Sequence, residues 1–298
     1  MLTKSLLIDY QKGYKSSTTC PLCDGHVYQG DPCGNCYAPA SVIESIITSE
    51  HVPRFIGVLG PTGVGKTVYL GMLLDMLARG AGGLHGMARS PFSLSLHRNL
   101  ILALEHQRFP DKTPNEPDHW QWVHCEVRTG RRGRIFDIVT PDVAGEAVQS
   151  ELENPKSNKI IRSLIGRCSA LVVLVDILQV VNAGQGQELF AMQLISYLDS
   201  IHVARRGRKV SIPVALVFTK ADVCEDAIRD PDFFARTNAP GLARICDSRL
   251  RNYRFYCSAV AGSTAKLVDR DGGESLVPLR IEPRGIIEPF AWLMTQVR

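Results

Sequence analysis

Two constellations in this 298-residue chain combine residue types and spacings that do chemistry. The first is Gly60-Pro61-Thr62-Gly63-Val64-Gly65-Lys66-Thr67, a glycine-rich run that closes on a lysine and a hydroxyl. Glycines at this spacing free backbone N–H groups to wrap phosphate oxygens, and a helix beginning at Lys66 adds positive potential. The Lys66 amine then reaches the β and γ phosphates of a nucleotide, and the Thr67 hydroxyl ligates its magnesium. The second constellation is Cys20-x-x-Cys23, nine residues, then Cys33-x-x-Cys36. Two thiolates separated by two residues grip one metal from a tight turn, and two such turns complete a tetrahedron of sulfur.

That second spacing is the one of a zinc ribbon, with iron as the competing metal. Four thiolates leave no open coordination position, so the site is expected to be structural and His26 a bystander. Gly25 and Gly34 are expected where the knuckle backbone turns sharply. A ribbon this short cannot bury its own core, so the metal supplies much of its folding free energy. It carries Asp24 and Asp31 but no lysine or arginine, which favours a protein contact or a plain structural role. The other cysteines, Cys125, Cys168, Cys224, Cys246 and Cys257, are expected as small hydrophobes in a reducing compartment.

The elements that must position these groups alternate. Ser41, as a cap, is expected to open a short amphipathic helix to Ser49 that links the ribbon to the rest. Beyond it the sequence predicts a strand at Phe55–Leu59 and a helix from Lys66 to Arg79. A hairpin of Trp122–Arg128 with Arg134–Val139 and a strand at Ala170–Val175 follow. A helix over Leu189–Val203, with Leu194, Leu198 and Ile201 in its core face, leads to a strand at Val214–Thr219. A helix over Phe233–Leu250, a strand at Arg254–Ser258 and a last helix over Ile286–Val297 complete the series. Unbroken apolar runs of four to six residues suit parallel strands buried on both faces. The expected fold is α/β: a three-layer, mostly parallel sheet with one antiparallel edge strand, preceded by the ribbon. The expected divisions are a lead at 1–18, the ribbon at 19–38, a linker helix at 39–52 and the nucleotide domain at 53–298.

The nucleotide's identity is written further along. A strand ends in Asp142-Val-Ala-Gly145, whose aspartate can hold magnesium and whose glycine amide can meet a γ-phosphate. Thr219-Lys220-Ala-Asp222 closes another strand, and Ser258-Ala259 a third. A carboxylate at Asp222 accepts two hydrogen bonds from guanine, whereas adenine lacks the donor pair and leaves the charge unpaired. Each motif sits at the C-terminal tip of a successive strand, where such sheets bind ligands.

With these motifs the chain from about Arg54 onward resembles the translation-factor and Ras-like class of P-loop GTPases. Val143-Ala-Gly-Glu146, Lys112-Thr113-Pro114 and Glu288-Pro289 look more narrowly like bacterial double-GTPase-type domains. The resemblance implies GTP or GDP with Mg2+ as ligands and a first switch within Gly80–His119. It makes Thr113 the threonine that senses magnesium and γ-phosphate, and Lys66, Thr113 and Glu146 the groups acting on the reaction. Two positions depart from the pattern: Thr219 replaces asparagine, and Glu146 stands where many relatives have a water-orienting glutamine. Arg108 and Lys112 are the nearby cations able to act in cis, against a default of solvated loop charges.

Competing readings stay open. Asp176, after an apolar run, also fits the magnesium aspartate of a P-loop ATPase, although Ile177 rather than glutamate follows it. The readings are a GTP-hydrolysing switch working through protein partners, a guanine-nucleotide scaffold that does not hydrolyse, and a zinc-ribbon ATPase acting on nucleic acid. With 34 basic and 30 acidic residues the net charge is only +4, too small a surplus to make nucleic acid or an anionic membrane the main partner. The basic clusters Arg131-Arg132-Gly-Arg134 and Arg205-Arg206-Gly-Arg208-Lys209 are expected on solvated turns. The longest apolar run, Ala170–Val175, falls far short of the ~20 residues of a membrane span, and the opening residues lack the pattern of a secretory leader. A cytoplasmic location is expected.

Overall fold

The computed structural model describes residues 17–51, 53–130, 133–182, 186–202, 209–268 and 274–297. Of the expected features, nearly all of the 1–18 lead and the cluster residues Arg131, Arg132, Arg205, Arg206 and Arg208 lie outside these residues. Two short strands, β1 (Ser17–Thr19) and β2 (His26–Tyr28), pair antiparallel in the ribbon, and α1 (Ala40–Ile47) leads away from it. Pro39, with its fixed φ, occupies the cap of α1, so Ser41 lies inside the first turn rather than capping it.

The main sheet has seven strands. These are β3 (Pro53–Leu59), β4 (Leu84–Ala88), β5 (Gln121–Thr129), β6 (Ile135–Asp142), β7 (Ala170–Asp176), β8 (Val214–Thr219) and β9 (Tyr253–Cys257), in the order β4-β5-β6-β3-β7-β8-β9. Every pairing from β6 to β9 is parallel, while β5 is antiparallel to both its neighbours. One strand therefore runs backwards, as expected, but it is not the edge: β4 lies outside it. Every residue of β7 and β8 is buried, because helices cover both faces.

One face is covered by α2 (Lys66–Ala78), α3 (Pro91–Glu105) and, after β9, the last helix, Ile287–Gln296. The other carries α4 (Gly145–Glu153), α5 (Lys159–Arg167), α6 (Ile177–Asn182) and α7 (Gly186–His202). Leu194 and Leu198 of α7 are fully buried and Ile201 packs beside them. The long helix expected over Phe233–Leu250 is two helices preceded by a short one: α8 (Glu225–Arg229), α9 (Pro231–Asn238) and α10 (Pro240–Arg249). Pro240 lacks the N–H that a continuous helix would need, and it serves instead as the first residue of α10. After β9 comes an unanticipated hairpin outside the main sheet, β10 (Ala259–Val268) with β11 (Glu274–Arg284), and then α11 (Ile287–Gln296).

The ribbon does not hang free. Leu22, Val27, Ala38, Val42, Ile43 and Ile46 join the same core cluster as Phe55, Trp122 and Ile165 of the sheet and α5. Asp24 pairs with Arg167 at the end of α5, and the Ser45 hydroxyl donates to the carbonyl of Arg89. On that same flank, buried Glu151 of α4 accepts hydrogen bonds from the backbone amides of Lys156 and Asn158, at 2.8 and 2.7 Å, and from the Tyr197 hydroxyl of α7. Burial alone would raise this carboxyl. The hydrogen bonds and the charge of Arg162 outweigh it and hold the group below the ordinary carboxylate range. No helix among the described residues is long and apolar enough to cross a membrane.

Candidate functional site

The phosphate loop follows β3 directly and ends in Gly65, whose φ of 97° caps α2 in a left-handed conformation that favours glycine. The first amides of α2 thus point into the loop's concavity. Lys66 is only 6% exposed, and its amine donates to the carbonyls of Gly60 and Pro61 at 3.1 and 3.0 Å. Burial pulls its pKa down to about 8, against the opposing pull of Asp142 and Glu146. A phosphate chain is the charge this buried ammonium lacks.

Three oxygens meet beside it. Asp142, at the tip of β6, accepts from the Thr67 hydroxyl at 2.8 Å and from the Thr113 hydroxyl at 3.0 Å, and the two hydroxyls lie 3.0 Å apart. Thr113 comes from a loop that the Trp120 indole holds by the carbonyl of Pro114 at 3.1 Å. Half of the expected long switch segment is β4 and α3, and the loop after α3 brings Thr113 here. The second carboxylate oxygen of Asp142 is buried without a hydrogen-bond partner among the described residues. Burial pushes this carboxyl up, opposed by Thr67, Lys66 and Thr113. An orphaned carboxylate oxygen beside two hydroxyls is a hard-oxygen donor set that fits a divalent cation such as magnesium.

Gly145 sits against the loop so closely that an added Cβ would lie 2.4 Å from the Thr62 nitrogen. Glu146, next along, is exposed and does not line the cleft, although its charge reaches Lys66. Arg108 and Lys112 are exposed as well, with Lys112 on the cleft wall.

The other end of the cleft is built by β8 and β9. The Thr219 hydroxyl donates to the Val64 carbonyl at 2.8 Å, tying the strand tip to the phosphate loop without an asparagine. Lys220 adopts a left-handed φ of 59°, and its amine pairs with Asp176 at 2.6 Å. Asp176 is therefore engaged here, and its other oxygen accepts from the amide of Leu178. Asp222 lies in the turn Ala221–Val223, half-buried and facing the cleft, with burial raising its carboxyl. Ala221 donates to the Ser258 carbonyl and Ser258 to that of Phe218, which staples the two loops together. The whole cleft, about 1540 Å³ with its open mouth, runs from Lys66 and Thr113 to Asp222, Ser258 and Ala259. Its walls include residues the sequence did not single out: Phe109, and Thr264 and Leu276 of the hairpin. Asp271-Gly272 between two β-rich runs was the available signal for that hairpin.

At the ribbon, the four cysteine sulfurs lie within 4.8 Å of one another, a spacing that can hold one tetrahedral metal ion. Cys20, Cys33 and Cys36 are buried and Cys23 is partly so, while His26 is exposed on β2 outside this group. The left-handed residues of the knuckles are Asp24 and Tyr37, not Gly25 and Gly34. Gly25 is closely packed: an added Cβ would lie 3.1 Å from that of Asn35. Of the remaining cysteines all are buried except Cys224, which is half-buried.

A phosphate loop, an aspartate at the neighbouring strand tip and a TKxD turn at one end of a mostly parallel sheet define the P-loop GTPase class. Residues 54–248 match the family model Double-GTPase 2, and the chain belongs to that family. No curated protein matches it by sequence. Solved structures similar to it include the small COPII coat GTPase SAR1 of Encephalitozoon cuniculi in complex with GDP. That likeness has 14% identity and a TM-score of 0.36, and it covers 85% of this chain and 83% of that one. The Ski7 GTPase-like domain of S. cerevisiae, bound to GDP and inorganic phosphate, is 12% identical over 86% of this chain and 51% of its own, with a TM-score of 0.42. The signal recognition particle receptor SRb-GTP/SRX complex of Chaetomium thermophilum is 15% identical over 71% and 92%, with a TM-score of 0.32.

Proposed function

We propose that this protein binds GTP and GDP with magnesium, hydrolyses GTP slowly and acts as a switch through protein partners, with zinc in its ribbon. The observation that carries the reading is that Lys66, Thr67, Thr113 and Asp222 line one continuous cleft. In it the loop amides and Lys66 take the phosphates, Asp222 takes the guanine edge, and Thr67, Thr113 and Asp142 hold the magnesium. That ion, when bound, neutralises charge developing between the β and γ phosphates. Thr113 and Gly145 approach the loop from two different segments, so a γ-phosphate ordering both gives the switch its two states. Within this reading 19–38 is the ribbon, 39–52 the linker and 53–298 the GTPase domain, and the protein works in the cytoplasm. The engagement of Asp176 by Lys220 argues against the ATPase alternative.

Turnover follows from Glu146. An ionised glutamate accepts from water but has no proton to donate to a phosphate, and its charge repels the γ-phosphate. Intrinsic hydrolysis is accordingly expected at about 10⁻³ s⁻¹ or below, the range of unassisted small GTPases. Glu146→Gln should keep GTP affinity within a few-fold and raise the single-turnover rate. Fast turnover in the wild type, unchanged in the variant, would place the water-orienting group elsewhere. The exposure of Glu146 favours one further reading, a scaffold that binds without hydrolysing, and the absence of any single turnover would establish it.

A further inference from the structure

We propose that the β10–β11 hairpin is the wall that retains the nucleoside half of the nucleotide, with Thr264 and Leu276 as its contact residues. The proposal rests on the guanine-nucleotide reading above. The phosphate loop and Asp142 engage phosphates, and Asp222 engages one edge of a base. Neither covers the apolar faces of a purine and its ribose. Beside Leu178 and Lys220, the hairpin adds Val260, Thr264 and Leu276 to the walls of that cleft. It leaves the site at Ala259, directly after Ser258, and β10 lies against both the turn that carries Asp222 and the helix that begins at Lys66.

Both ends of the hairpin are fixed to the nucleotide loops. Gly285, at a φ of 63°, closes the return strand onto the Cys257 carbonyl so tightly that an added Cβ would lie 1.8 Å from it. One residue later the buried Tyr69 hydroxyl of α2 donates to the Ile286 carbonyl at 3.0 Å. Thr264 pairs across the ladder with buried Pro278, one step from the pair of Ala265 with Val277. Leu276 lines the cleft yet is 45% exposed, an apolar side chain that a ligand would cover. The Thr264 hydroxyl, also on the cleft wall, has no hydrogen-bond partner among the described residues. An uncovered leucine and a free hydroxyl on an anchored strand pair suit a purine face and a ribose hydroxyl.

The test is release of tritiated GDP from the full-length protein into excess unlabelled GDP. Release from Leu276→Ser combined with Thr264→Ala should be about tenfold faster or more, because apolar cover is lost from the ligand. Leu276→Ile should keep release slow. Inorganic triphosphate, which meets only the phosphate end, should compete equally well with wild type and double variant, and this shows that the variant is folded at the loop. GDP release within twofold of wild type in the double variant, with Asp222→Ala still loosening GDP, overturns the wall alone. A wild-type protein that holds ATP as well as GDP overturns the guanine reading and this proposal together.

Discussion

Lys66→Ala should abolish tight nucleotide binding. The Lys66 ammonium is buried, with the carbonyls of Gly60 and Pro61 as its hydrogen-bond partners among the described residues, and desolvation draws its pKa to about 8 against the pull of Asp142 and Glu146. A di- or triphosphate restores a full counter-charge to that group. Truncating one side of a buried, hydrogen-bonded charge pair typically costs about 2–5 kcal/mol, and each 1.4 kcal/mol is tenfold in affinity. The expected loss is therefore at least about thirtyfold and up to several thousandfold for both GDP and GTP. The thermal midpoint of the ligand-free variant serves as control, since Lys66 also ties the loop's own carbonyls. Binding within a few-fold of wild type in a folded Lys66→Ala protein would mean that the phosphates do not sit in this loop.

The second large effect is at the ribbon. The purified protein should carry one zinc per chain, and stripping it with a chelator, or by Cys33→Ser, should unfold the ribbon. Its own apolar content is little more than Leu22, Val27 and Ala38, so the metal–sulfur bonds hold it, at about 10–16 kcal/mol apparent in small zinc-binding peptides. The loss would not stay local, because the ribbon and α1 share a core with Phe55, Trp122 and Ile165. A fall in thermal midpoint of about 5 °C or more is expected, since each kcal/mol moves a domain of this size by about 2–4 °C. Acid should do the same, because thiolates release the ion as they take up protons. Elemental analysis finding under about half an equivalent of zinc, with no substitute metal, would contradict the closed four-cysteine site.

How much of this was legible in the sequence depended on distance along the chain. The phosphate loop and the cysteine knuckles are contiguous, so their spacing alone carries their chemistry. Asp142 and Asp222 could be placed at strand tips because unbroken apolar runs mark buried parallel strands. The pair of Asp176 with Lys220 needed the register of β7 against β8, in which Asp176 stands beside Thr219, and no local pattern encodes a register. Helix α4 begins at Gly145 without a side-chain cap, which left no start signal, whereas α5 had one: the Asn158 side chain accepts from the Ile161 amide. The split at Pro240 was likewise written in the chain, and apolar periodicity across it concealed the break. Hairpin β10–β11 escaped because it belongs to neither face of the main sheet, so no pattern of sheet burial announces it.

Selection of guanine nucleotides in this cleft falls to Asp222. Calorimetric titration of the magnesium-supplemented protein with GTP, GDP and ATP tests it most directly. Asp222 is the sole carboxylate at that end of the cleft among the described residues, and a base without the paired donors leaves it desolvated and unpaired. GTP and GDP should bind at least about a hundredfold more tightly than ATP, as expected where a site built for hydrogen bonds meets a ligand lacking them. Equal affinity for ATP and GTP would show that Asp222 does not read the base.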